Sequence, residues 1–289
     1  LMIRRPPRST HCISSAASDV YKRQLLNSIM SVDMAAAFIL MAAEVADELG
    51  VARDRWVFPW SAATCNDVYF PVERPDLSRS SGIEVAARKA LDAGRLTTDD
   101  IRWFDLYSCF PSAIEMAAEA LDLDPLDDRG LTVTGGLPYH GGPGNNYVSH
   151  SIVEMVRRCR RDPTDAGLVT GLGWYSTKHS VGVWSATPPP AGWRLLDTAV
   201  EQAQIDSSRL AVAGADEATG CATVDGYTVV YDRDGQPRWT PIIAHLSDGQ
   251  RVVARSDDPQ IAEAMGAEMY VGKTVCLRNT GSFTGFELP

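Results

Sequence analysis

Between Leu25 and Trp184 the chain alternates continuous apolar runs with stretches whose apolar residues recur at helical spacing, which is the pattern of a layered α/β fold. Residues 35–42 are an unbroken apolar run and predict a buried strand, and residues 44–49 continue it as a helix that Gly50 stops. A second strand is predicted over 56–63. After a polar, proline-bearing stretch from 72 to 81, Ile83, Ala86, Ala87, Ala90 and Leu91 share one face of a helix closed at Gly94. Residues 101–107 predict a third strand, and Ile114, Ala117, Ala118 and Leu121 mark the helix that follows it. A glycine-rich loop over 135–146 then feeds a helix lined by Tyr147, Val148, Ser151, Ile152, Met155, Val156 and Cys159. Arg157, Arg158, Arg160 and Arg161 near its C-terminal end complement the helix dipole. Two short apolar runs, 166–173 and 180–186, are suited to pair as a hairpin.

Pro188, Pro189 and Pro190 cannot occupy a central strand and mark a boundary. Beyond them the pattern changes. Strands are predicted over 227–231, 239–246, 251–254 and 274–278, with a helix over 259–264. Asp234-Gly235 and Asp248-Gly249 supply hairpin turns. This reads as a small β-rich, OB-like barrel. The expected organisation is therefore a leader over 1–24, an α/β domain over 25–187, a linker over 188–192 and a β-rich domain over 193–289.

The leader differs in composition from everything after it. It holds five of the basic residues and one acidic residue, with no sustained apolar periodicity. It resembles translated sequencing-adaptor DNA and is set aside as foreign; a transit peptide is the other reading, which Pro6 and Pro7 oppose because they break an amphipathic helix. Without it, 22 basic residues stand against 36 acidic ones, a net charge of −14 where the whole chain carries −10. Nucleic acid is thereby an unsuitable partner, since a phosphate backbone needs a basic stripe. With 45% hydrophobic residues the chain can bury one large core or two smaller ones. Its longest apolar run, 34–43, falls well short of the roughly 18 residues that a membrane helix needs. Cys65, Cys109, Cys159, Cys221 and Cys276 form no CxxC pair and no metal-like cluster with histidine, so no metal is expected. The scattered set suggests reduced, mostly buried thiols in a cytoplasmic protein.

Candidate chemistry centres on the run GGLPYHGGPGNN. Gly135, Gly136, Gly141, Gly142 and Gly144 cost folding entropy, and a ligand approaching the backbone is one justification; tight packing is the other. Asn145 and Asn146 are placed to cap the following helix, whose free N–H groups suit an anionic or carbonyl oxygen. His140 lies on the same loop. Ser108 is a candidate N-cap for the helix after it.

Four blocks, VDMAAAFILMAAEVADELG, FDLYSCFPSAIEMAAEAL, TVTGGLPYHGGPGNNYVSHS and GLVTGLGWYSTKHSVGVWS, resemble in order and spacing the C-terminal half of thiolases over residues 25–190. They are most similar to the sterol-carrier-linked and thiolase-like branches often labelled acetyl-CoA acetyltransferase. With its β-rich tail, the whole chain looks like the thiolase-like protein type 1 group. The resemblance implies the C-terminal half of a thiolase fold, layered βαβ units on a mixed sheet, with the nucleophilic cysteine on an N-terminal half that this sequence lacks. It also implies coenzyme A thioesters as substrate or ligand, with no separate cofactor. At the position where those families place Asn or His for an oxyanion or water stands Tyr107, whose phenol can still donate. The histidine of their GHP block aligns with Gly142, and their second cysteine with Gly173. His140, and His179 beside Lys178, are the neighbouring groups able to replace what is lost. Three functions follow: an acyl-CoA acyltransferase completed by the missing half, a thioester-binding protein that has lost its chemistry, or an assembly role in which the tail recruits a partner such as a small acyl-carrying or OB-like protein.

Overall fold

The computed structural model of the protein describes residues 27–215, 218–232 and 234–289; the leader over 1–24 lies outside them. The chain falls into two compact units, one formed by residues 27–69 and 78–208, the other by Phe70–Leu77 and Arg209–Pro289.

In the first unit, helix α1 (Ala43–Glu48) ends as expected before Gly50, whose φ of 65° is the left-handed geometry that terminates a helix. Strand β1 (Phe58–Asn66) is followed by α2 (Ser81–Gly94), β2 (Ile101–Asp105), α3 (Pro111–Ala120), a one-turn helix α4 (Leu137–His140) inside the glycine-rich loop, α5 (Tyr147–Arg161), β3 (Ala166–Gly173) and β4 (Lys178–Ser185). Strand β5 (Arg194–Leu196) and α6 (Ala199–Ser207) complete the unit. The sheet runs β2-β3-β4-β1-β5 and is mixed: β2 is parallel to β3 and β1 to β5, while β4 is antiparallel to both its neighbours. One face packs Phe104, Leu168, Val181 and Val183 against α2 and α3. The other packs Val169 and Trp103 against Met155 and Cys159 of α5. The result is the layered α/β arrangement expected from the sequence.

The structure departs from the sequence pattern at three places in this unit. Residues 35–42 are not a buried strand. They form no helix or strand and have no place in the sheet, and Ile39 and Leu40 are 84% and 73% exposed. Apolarity alone does not make a strand when no ladder partner takes up its N–H and C=O groups. The boundary is not at the prolines either, because β5 pairs in parallel with Ser61–Ala63 of β1 and Gln202 of α6 accepts from the Asn66 N–H at 2.7 Å. Residues 193–208 thus belong to the α/β unit. On α5 the fully buried stripe is narrower than the apolar face predicts: Tyr147, Ser151, Met155 and Cys159, at four-residue spacing.

The second unit is a closed barrel of β6 (Gly220–Tyr227), β8 (Pro237–His245), β9 (Arg251–Ser256), β10 (Thr274–Asn279) and β11 (Thr284–Glu287), with the short β7 (Val230–Tyr231) paired to β8. Its order β6-β10-β11-β9-β8 closes through a β8–β6 pairing. The third and fifth barrel strands, β9 and β11, are parallel, and helix α7 (Pro259–Ala267) connects the third to the fourth. The tail is thus a small, β-rich barrel interrupted by one helix, as anticipated at the level of a β-rich domain. Strands β6 and β11 are not legible in the sequence, since glycine at 220, 226 and 285 and two threonines dilute their apolar alternation. The interior holds Val224, Ile242, Val252, Val275 and Phe286, and Met265 of α7 joins them. Arg251 is 5% exposed; its Nη2 donates to the carbonyls of Arg74 and Pro75, and its Nη1 stands 3.2 Å from Asp225 Oδ2. His245, for which the sequence suggests no partner, places its Nδ1 2.8 Å from the other Asp225 oxygen.

Candidate functional site around the glycine-rich loop

The loop is anchored by an acid that the sequence places in an otherwise apolar strand. Asp105, at the end of β2, is fully buried. Its Oδ1 accepts from Val133 N at 3.0 Å, Thr134 N at 3.2 Å and Thr134 Oγ1 at 3.2 Å, and its Oδ2 accepts from Ser151 Oγ at 2.5 Å. Burial pushes the Asp105 carboxyl up in spite of these four donors. Thr134 Oγ1 also accepts from Gly136 N at 3.0 Å and lies 2.6 Å from the Tyr147 hydroxyl. A hydroxyl has one proton and two lone pairs, so with its proton on Asp105 it must accept from Tyr147. The order is therefore Tyr147 to Thr134 to Asp105. Burial and the nearby Asp105 push the Tyr147 phenol up, which keeps it a donor at neutral pH.

Four aromatic rings stand over this network. Tyr107 meets Tyr147 edge-on at 5.4 Å between centroids; its own N–H donates to Thr170 Oγ1 at 2.8 Å, and burial pushes its phenol up. His140 lies 6.1 Å from Tyr147 and 5.1 Å from His150. His150, which falls off the apolar stripe of α5, is held below the ordinary histidine range, by burial first and then by His140. The His140 Nε2 is buried and has no hydrogen-bond partner. A buried imidazole nitrogen without a partner is uncommon.

The glycines divide into two groups. Gly136 has φ of 87°, and a Cβ there would lie 2.9 Å from Ser108 Oγ. Ser108 does not cap α3, whose N-cap is Phe110; its Oγ accepts from Leu137 N at 3.0 Å and ties down α4. Gly141 and Gly142 are buried beneath the protein's own segment 28–34: Gly142 N donates to Ile29 O at 2.7 Å, and a Cβ on Gly141 would meet Met34 Sδ at 2.6 Å. Close packing, rather than an open ligand cradle, accounts for these two positions. Gly135, Gly144 and Asn145 are exposed. Asn146 occupies the N-cap of α5 but makes no side-chain cap; its Nδ2 lies 3.4 Å from His150 Nε2.

His179 is not part of this cluster. It is buried on the α2 face of the sheet, where a Cβ on Gly82 would meet its ring at 2.8 Å, whereas the adjoining Gly171–Ser180 pair faces Val148 of α5. Its Nε2 lies 2.9 Å from Asp67 Oδ2 and 3.2 Å from Ser80 Oγ. Asp67 also accepts from Ser80 Oγ at 2.5 Å and from Gly82 N at 2.8 Å. Burial pushes Asp67 up, but His179, Ser80 and Gly82 outweigh it and hold the carboxyl below its usual value. Because His179 and Ser80 converge on one carboxylate oxygen, and Ser80 caps α2 through Ile83 N, the group fastens β1, α2 and β4 together. Gly173 sits at the end of β3 opposite Lys178.

Cys109 is half-buried, and burial pushes its thiol up, which disfavours a nucleophilic thiolate. A cavity of about 530 Å³ opens elsewhere in the unit, between residues 37–43, the start of β1 and Ile152, Val156 and Trp184. Its walls carry arginines but no acid, thiol or imidazole, so the ionisable chemistry remains at the loop. The sequence points to His140 and Tyr107 but not to Asp105, Thr134, Tyr147 and Ser151 as a connected group. An aspartate inside an apolar strand is the signal it does contain. No group of three or more His, Cys, Asp and Glu suited to a metal occurs among the described residues, and no described helix is long and apolar enough to cross a membrane.

Residues 202–282 match the family model for the thiolase-like protein type 1 additional C-terminal domain. Among solved structures, the chain is similar to a monomeric SCP2-thiolase like protein type 1 from Mycobacterium smegmatis, with a TM-score of 0.79 and 34% identity. The likeness covers 86% of this chain and 54% of that one, so the chain spans about half the length of the relative. No curated protein matches the sequence. The resemblance carried by the four sequence blocks and the tail, and the two-part fold class, are borne out by these findings.

Proposed function

We propose, with the likeness to thiolase-like protein type 1 as premise, that this chain binds a coenzyme A thioester at the 135–146 loop and orients its carbonyl group, and does not itself supply the nucleophile. The observation that carries this reading is the His140 imidazole, which packs against Tyr147 and His150 and whose buried Nε2 is left without a partner. In the tautomer that places the ring proton on Nε2, a thioester carbonyl oxygen is the acceptor suited to it. The family's catalytic histidine is replaced by Gly142, and restoring a side chain there would bring a Cβ to 3.0 Å from that of Ser28. Gly173 likewise offers no proton where a second cysteine is expected. General acid/base catalysis and an oxyanion donor each contribute on the order of 10²-fold or more, so a site short of proton-transfer groups favours binding over turnover.

The acyltransferase reading has one observation in its favour: the Mycobacterium relative is about twice as long, and in a chain of that length a nucleophile from further residues would face the same carbonyl. Equilibrium dialysis of the protein against acetyl-CoA, followed by peptide mass mapping, tests both. Retained ligand with every described cysteine unmodified is the expected result. No retention removes the binding reading, and a stable acetyl group on Cys109 removes the division between binding and chemistry.

A further inference from the structure

The scattered cysteines of the sequence suggest buried thiols. Cys65 and Cys159 are buried and Cys109 is half-buried, but Cys221 and Cys276 are both exposed. They are also register partners: β6 and β10 run antiparallel with Cys276 directly opposite Cys221, between the Thr274–Thr223 and Val275–Ala222 pairs on one side and Leu277–Gly220 on the other. Both side chains leave the barrel on its outer wall, since their neighbours Ala222, Val275 and Leu277 point into the core. Directly opposed residues of an antiparallel pair have Cα atoms about 4.5–5.5 Å apart. That lies inside the range of about 4.4–6.8 Å over which a disulfide closes without backbone movement.

We propose that Cys221 and Cys276 are a redox-active dithiol that closes to a cross-strand disulfide on the barrel wall. The oxidant is a low-molecular-weight disulfide of the glutathione class. One protein thiolate attacks a sulfur of that disulfide, forming a mixed disulfide and releasing one small thiolate. The second protein thiolate then attacks the protein sulfur of the mixed disulfide, releasing the other small thiolate. Two protein thiols lose two electrons and two protons, and one small disulfide gains them as two thiols. Either protein thiol can make the first attack while the one directly opposite resolves the mixed disulfide, and the Cys276 thiol is pushed up by desolvation first and then by Cys221 and by Glu287 on the adjoining strand. Closure joins the first barrel strand to the fourth. Burial pushes the Cys159 thiol up to about 12 and also raises Cys65 and Cys109, so those three react slowly in the folded protein. The site is independent of the loop around His140 and of the function proposed for it.

Oxidation of the whole reduced chain by oxidised glutathione, with peptide mass mapping, tests the proposal. The wild-type protein should give a Cys221–Cys276 cross-link with little retained glutathione. Cys276→Ser should accumulate glutathione on Cys221 at least tenfold over wild type. Stable glutathione adducts on both cysteines of wild-type protein without a cross-link would overturn the proposal, as would a pair that stays reduced when folded yet reacts once denatured. The wild-type map distinguishes these outcomes without the variant, so a poorly folding Cys276→Ser protein does not weaken the test.

Discussion

Asp105 shows how much a single residue in the loop network is asked to hold. It is buried with four donors aimed at it, three from residues 133 and 134 and one from Ser151. Asp105→Ala leaves all four unsatisfied and should cost on the order of 2–4 kcal/mol in urea unfolding. Asp105→Asn keeps the Oδ1 acceptor and lets the amide donate to Ser151, so about 1 kcal/mol or less is expected. The pH dependence distinguishes charge from shape. Because the folded carboxyl is raised, its contribution is fully present below the unfolded value of about 3.9 and is lost as pH rises through the folded value. The Asn variant should therefore gain on wild type between pH 4 and pH 7, and a constant difference would count against a raised Asp105. Asp67 has the opposite sign. Held below its usual value, it contributes stability above about pH 3.9 that is lost on acidification, so Asp67→Asn should cost more at pH 7 than near pH 2. The acid in the apolar stretch over 101–107 is visible in the sequence; its partners are not. Ser151 lies 46 residues away and Thr134 lies 29, and only the crossing of β2 with the loop and α5 brings them together.

Among the elements, legibility followed the source of the signal. Helix α2 has a six-residue apolar face and a serine cap, and it forms where its periodicity places it. The run over 35–42 carries as strong an apolar signal and forms no strand, because a strand is defined by a neighbour and the run itself contains no information about one. Likewise β5 is three residues with two leucines, too short to announce itself, and it exists through its pairing with β1. The junction of β1, α2 and β4 gives a test at this scale. His179→Ala removes a buried partner of Asp67 and should destabilise the α/β unit by roughly 2–3 kcal/mol, while leaving acetyl-CoA affinity unchanged because the residue faces α2 and not the loop. In the barrel, Arg251→Ala removes the partner of Asp225 Oδ2 and of two backbone carbonyls and should cost roughly 3 kcal/mol in the unfolding of that unit. Segment 70–77 could not have been assigned to the barrel from sequence, since Arg251 reaches it across more than 170 residues.

For the whole molecule, composition and motif order are informative at the level of class. Layered βαβ units on a mixed sheet, implied by the resemblance, and a small β-rich barrel were both anticipated, and the aspartate-glycine turns at 234–235 and 248–249 separate successive strands of the second unit. Function is less legible, because it depends on what is absent from a motif as much as on what is present. A glycine at 142, where the resemblance leads one to expect histidine, is visible at once. That this glycine lies beneath Ser28 and Ile29, where a larger side chain would displace them, required the structure. The same holds for His140: its position in the loop is apparent, but the buried, unpartnered Nε2 that motivates thioester binding is not. Calorimetric titration of acetyl-CoA into the wild-type protein and into His140→Ala is the direct test. Saturable binding that weakens about tenfold in the variant, the effect of one lost hydrogen bond near 1.4 kcal/mol, is the predicted result; equal affinity in the two proteins, or no binding to wild type, would contradict it.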